Sequence, residues 1–133
     1  MSPAWSPDGS EIAFGDPFDG GIALIHPDGS GRRTLIRNDS GDPAWSPDGG
    51  QIAFVQRGGL ALMNADGSDP HTIVTTKDPD YYPRTPSWSP DGESIVYVDA
   101  GHLYSVDAKG DNRADLTPFP VSVDSRDPDW SRR

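Results

Sequence analysis

Short apolar segments alternate with turn-forming residues along the whole chain. No segment carries the sustained three-to-four-residue spacing of apolar positions that indicates a helix, and proline recurs too often for long helices. Four tryptophans stand at positions 5, 45, 88 and 130, which are 40, 43 and 42 residues apart. Nearly the same residues surround each of them. The pattern predicts an all-β chain built from an internal repeat.

Each full repeat predicts four short strands, which we call A to D. Strand A is the Pro-x-Trp-Ser segment, and the Ser-Pro-Asp-Gly sequence after it suits a type I turn followed by a glycine bulge. Strands B and C are apolar, as at residues 52–55 and 60–63, and a second glycine-containing turn leads to strand D. Four strands in roughly 40–45 residues are typical of one β-propeller blade. The repeats cover approximately residues 2–41, 42–84 and 85–126, and a fourth begins at 127–133.

The repeated motif resembles that of a known family. Trp-Ser-Pro-Asp-Gly, two further residues and then Ile-Ala-Phe, as at residues 5–14, is similar to the WD-like repeat of TolB-type β-propellers. The propellers of prolyl-oligopeptidase-like and tricorn-like proteases carry similar repeats. The resemblance implies a propeller fold and often a periplasmic protein. It says little about function, because one fold hosts many activities.

Three blades and one additional strand do not close a ring, since propellers have about 4–8 blades. The resemblance implies six. We therefore expect two chains to close a six-bladed ring, with a trimeric nine-bladed ring as the alternative. The segment from Asp127 to Arg133 would then pair across the junction between chains. A fragment, or an engineered piece, of a longer propeller would show the same pattern.

Composition excludes several functional classes. The 133 residues carry a net charge of −10, which disfavours binding to nucleic acid or to anionic membranes. No apolar run reaches the ~20 residues of a membrane span, and the N-terminus has no signal-peptide apolar region. Without cysteine, the chain has no disulfides and no thiolate metal sites.

The sequence does not predict an enzyme. It has no Gly-x-Ser-x-Gly elbow, no phosphate-binding loop and no pair of histidines spaced for a metal. The Asp-Gly turns read as turn formers rather than as calcium loops, because the acidic twelfth ligand of such a loop is missing. Three functions remain open: a protein- or peptide-binding scaffold, a purely structural self-assembling module, and the gating propeller of a peptidase that lacks its catalytic domain.

Candidate site residues fall into three groups. The tryptophans are predicted to pack one blade against the next: Trp5, Trp45, Trp88 and Trp130. The B–C loops and D–A connections vary between repeats and should share one rim, where scaffolds concentrate function. The rim residues predicted to bind a partner are Phe18, Asp78, Asp80, Tyr81, Tyr82 and Arg84. Asp42 and Asp127 should face the channel mouth, where they either hold a calcium ion or form part of a solvated acidic rim.

Overall fold

The computed structural model describes residues 3–76 and 82–117, which form twelve β-strands in three sheets. Blade 1 contains β1 (Ala4–Trp5), β2 (Ile12–Asp16), β3 (Gly21–Ile25) and β4 (Arg33–Ile36). Blade 2 contains β5 (Ser40–Trp45), β6 (Gln51–Gln56), β7 (Gly59–Asn64) and β8 (His71–Thr75). Blade 3 contains β9 (Arg84–Trp88), β10 (Ser94–Asp99), β11 (His102–Asp107) and β12 (Ala114–Asp115).

Each sheet is an antiparallel meander in which every strand pairs with its neighbours in the chain. The described residues include no helix, so none is long and apolar enough to cross a membrane. The predicted all-β fold with three four-stranded blades is therefore confirmed. Ring closure by a second chain stays a prediction. Five of the predicted site residues lie outside the described residues: Asp78, Asp80, Tyr81, Asp127 and Trp130.

The turn between strands A and B has the same geometry in every blade. In blade 1 the amide of Gly9 donates to the carbonyl of Ser6 at 2.9 Å, and Gly9 has a φ of 75°. Asp8 closes the turn by accepting the amide of Ser10 at 3.0 Å and the hydroxyl of Ser6 at 2.8 Å. These hydrogen bonds lower the pKa of Asp8 to about 2, and the bond from the Ser10 amide has the largest effect. The acid in this motif therefore serves the turn.

Two apolar cores lie between consecutive blades. Because side chains alternate across a strand, one face of blade 2 packs against blade 1 and the other against blade 3. Phe54 lies in the first core and Val55 in the second. The indole N–H of Trp45 donates to the carbonyl of Ala4 at 3.1 Å, and that of Trp88 donates to Ala44 at 3.0 Å. Both tryptophans thus join a blade to the one before it.

Trp5 differs from its two equivalents. It is 60% exposed, whereas Trp88 is only 8% exposed. The physical reason is positional: no described blade precedes blade 1, so the Trp5 ring has no neighbouring strand A to pack against. Among the residues that the structure describes, Trp5 therefore makes no contact equivalent to those of Trp45 and Trp88.

Candidate functional site

The turns and connections separate onto two rims. On one rim, residues that follow strand D meet the B–C turn of the blade that they leave. The amide of Ser40 donates to the carbonyl of Gly20 at 3.4 Å, and the amide of Thr76 donates to the carbonyl of Gly58 at 2.8 Å. On the opposite rim, the C–D turn meets the A–B turn, where the amide of Ala65 donates to Gly50 at 3.1 Å. We call the first of these the variable rim, because its loops differ between blades.

Blade 1 carries the longest B–C loop on the variable rim. Two residues connect strands B and C in blades 2 and 3, whereas four residues, 17–20, connect them in blade 1. Phe18 lies within this longer loop and is 89% exposed. The loop therefore presents a whole aromatic ring to solvent at the rim.

A buried carboxylate holds this loop in shape. Asp16 ends β2, and its Oδ1 atom accepts the amides of Phe18 at 2.9 Å and Asp19 at 3.3 Å. Its Oδ2 atom pairs with the guanidinium of Arg32. The hydrogen bond from the Phe18 amide lowers the pKa of Asp16 most, and the hydrogen bond from the Asp19 amide and the positive charge of Arg32 lower it further. Asp16 therefore stays ionised and keeps the loop closed beneath Phe18.

A cleft opens beside the loop. Its volume is about 360 Å³, and its walls come from the B–C loop of blade 1 and the D–A connection that follows it. Asp42 lines this cleft, and its carboxylate accepts the amide of Thr85 at 3.4 Å. Both residues have a φ of 48° at irregularities in strand A. A positive φ is costly for a β-branched residue such as Thr85, so the backbone is strained at this mouth.

The predicted rim residues are brought together only in part. The hydroxyl of Tyr82 donates to the carboxylate of Asp39, which links the D–A connections on either side of blade 2. Asp39 also lines the cleft beside blade 1. Arg84 begins β9 and is exposed. Tyr82 and Phe18 therefore both belong to the variable rim, at different blades.

Sequence reasoning missed Asp16, Arg32 and Asp39. An aspartate at the end of an apolar strand and directly before proline is a common start of a side-chain-capped turn, so Asp16 carried a detectable signal. Arg32 stands 16 residues from Asp16 and Asp39 stands 43 residues from Tyr82. No local sequence pattern predicts contacts between residues that are so far apart in the sequence.

The described residues offer no assembled metal centre. They contain no group of three or more histidine, aspartate or glutamate side chains that could hold a metal ion. The histidines lie toward the outer strands, as with His102, which bonds Asp115 at 3.0 Å. Of the two aspartates predicted to bind calcium, Asp42 is among the described residues and Asp127 is not.

Comparison with solved structures identifies the fold. The nidogen/laminin complex matches with a TM-score of 0.74 and 19% identity, covering 88% of this chain and 47% of that chain. TolB from Acinetobacter baumannii matches with a TM-score of 0.72 and 22% identity, and the match covers 88% of this chain and 32% of that chain. An oligogalacturonate lyase in complex with manganese matches with a TM-score of 0.69 and 16% identity, and the match covers 98% of this chain and 44% of that chain.

These similarities establish the fold and nothing finer. This chain spans less than half the length of each of those three chains. No protein-family model and no curated protein sequence matches it. The chain therefore has the β-propeller fold of TolB-type proteins, in agreement with the predicted resemblance.

Proposed function

We propose that this chain is a non-catalytic β-propeller module that completes its ring by self-association and binds proteins or peptides at the variable rim. The observation that carries the binding role is Phe18, which is 89% exposed on a loop held by a buried carboxylate. Aromatic side chains are enriched among the residues that dominate binding energy at protein interfaces. An exposed ring on an ordered loop suits such a role.

Two features of the rim support binding by this surface. The loop is ordered before any partner arrives, so binding does not have to supply the free energy of ordering it. The neighbouring cleft is lined by the acidic residues Asp39 and Asp42, and the solvent-exposed ring of Phe18 lies on the loop beside it. A peptide with an apolar side chain next to a lysine or arginine matches this arrangement in both polarity and charge.

The test is selection of random peptides displayed on phage against the immobilised chain. We expect the enriched peptides to combine apolar and basic residues and to lose binding to Phe18→Ser. The matched control is Leu116→Ser, which removes another exposed apolar side chain, 44% accessible, from blade 3. Enriched peptides that bind Phe18→Ser as well as the wild-type chain would contradict the proposal and leave the purely structural module as the better account.

A further inference from the structure

We infer that the cleft beside the B–C loop of blade 1 receives one arginine side chain of a peptide bound at the variable rim, and that Gly41 keeps the cleft open for it. The inference rests on the peptide binding included in the proposed function and names the side chain that the cleft accepts. We call this part of the cleft the arginine subsite. Its lining residues are Gly15, Asp39, Ser40, Gly41 and Asp42.

The backbone does not require glycine at position 41. Gly41 is not among the residues with a positive φ, and a Cβ atom added there would meet no described atom within 4 Å. On the facing wall, a Cβ atom on Gly15 would lie 3.6 Å from the Cα atom of Gly41, which is an ordinary contact distance. Conformation and packing therefore both leave room for a side chain at Gly41, and its absence keeps the cleft open.

The next blade carries an arginine at the same position of the repeat. Gly41 pairs with Val55 in strand B of blade 2, and Arg84 pairs with Val98 in strand B of blade 3. Both valines stand one residue before the end of their strand. Arg84 is exposed at the rim. Strand A thus accommodates an arginine at this position, and in blade 2 the chain leaves the corresponding space open.

Two acidic side chains beside Gly41 have no positive partner among the described residues. Asp16, which also lines the cleft, pairs with Arg32. No arginine, lysine or histidine of the described residues forms an ion pair with Asp39 or Asp42. A cationic side chain from a partner would therefore supply the charge that this wall of the cleft lacks.

Neighbouring groups already fix the orientation of both carboxylates. The Oδ2 atom of Asp39 accepts the hydroxyl of Tyr82, and the Oδ2 atom of Asp42 accepts the amide of Thr85 at 3.4 Å. Their Oδ1 atoms accept no hydrogen bond from the described residues. A guanidinium group has five N–H donors in a rigid planar fork, whereas an ammonium group has three around one point. Two separate carboxylate acceptors therefore favour arginine over lysine.

The experiment titrates the isotope-labelled 133-residue chain with the tripeptide acetyl-Ala-Arg-Ala-amide and follows the amide chemical shifts by nuclear magnetic resonance. A salt concentration of about 0.15 M screens long-range attraction between the cationic peptide and the acidic chain. We expect saturable shifts at the amides of residues 39–42. Replacing arginine by citrulline keeps the shape of the side chain and removes its charge, so it should weaken binding at least about tenfold.

Two variants of the arginine subsite test the contacts. Gly41→Arg supplies a guanidinium from the chain itself and should weaken tripeptide binding at least about tenfold. Asp42→Asn tolerates the positive φ of this position but removes one carboxylate, and it should weaken binding by a similar factor. Glu93→Gln is the matched control: it raises the net charge by one, as both variants do, in the A–B turn of the opposite rim, so the affinity should not change.

Three results would overturn the inference: no saturable shift at residues 39–42, equal affinity for the citrulline peptide, or unchanged affinity in both Gly41→Arg and Asp42→Asn. The tripeptide offers no large apolar side chain to Phe18, so this test and the selection of displayed peptides fail separately. Selected peptides that require Phe18 but bind Asp42→Asn and Gly41→Arg normally would remove the arginine subsite and leave the binding role of the rim standing.

Discussion

Replacing Trp88 by alanine should cost far more stability than replacing Trp5. Trp88 is 8% exposed, lies in the core between blades 2 and 3, and donates its indole N–H to Ala44. A buried aromatic side chain removes roughly 150–250 Å² from water, worth about 4–6 kcal/mol at 25 cal/mol per Å². Measured losses for Trp→Ala in cores are about 3–5 kcal/mol. We expect about 4 kcal/mol, including the carbonyl left unsatisfied.

The same arithmetic gives a smaller loss at Trp5. With 60% of the residue already exposed, about two fifths of its surface is buried, which corresponds to about 1.5–2.5 kcal/mol. The two variants make the same chemical change at the same position of the repeat and differ only in the blade that carries it. A domain of this size has a total stability of about 5–15 kcal/mol, so the difference between them is a measurable fraction of the whole.

The assay is urea unfolding followed by far-ultraviolet circular dichroism, at a concentration low enough for the wild-type chain to be monomeric. The slope of free energy against urea should stay the same, so that the midpoint alone reports the change. Equal losses for the two variants at low concentration would show that inter-blade packing does not set the stability of this fold.

Two further predictions concern the acids. The turn carboxylates have pKa values below the ordinary aspartate value of 3.8, as with Asp8, whose pKa is lowered to about 2. They therefore stabilise the fold above pH 3.8, and this contribution is lost as the pH falls toward 2. The urea midpoint of the wild-type chain should drop over that range, and the midpoint of Asp8→Asn should drop less. Identical pH profiles for the two chains would contradict this role of Asp8. For the channel mouth, we expect no change of melting temperature in millimolar calcium chloride, because calcium takes about 6–8 oxygen ligands and the described residues contain no group of three or more acidic or histidine side chains around Asp42. A rise in the wild-type chain that disappears in Asp42→Asn would instead establish a calcium site there.

The fold follows from local features that the sequence displays directly. The Ser-Pro-Asp-Gly turn is closed by atoms within six residues, as with Ser6, Asp8 and Glu11, so its presence can be deduced from its residues. The regular spacing of the tryptophans predicted the blade repeat, because each copy of the motif makes the same local structure. The turn role of Asp8 and the four strands per blade therefore required no tertiary information.

The candidate sites depend on contacts between distant residues. Tyr82 reaches Asp39 across 43 positions, and Arg32 reaches Asp16 across 16. Trp5 and Trp88 lie in nearly identical sequences, yet one is exposed and the other buried. The burial of a repeated side chain depends on the blade that stands before it, and the motif around the residue holds no information about that neighbour. Only the tertiary structure distinguishes the exposed tryptophan of blade 1 from its equivalents at the two junctions between blades.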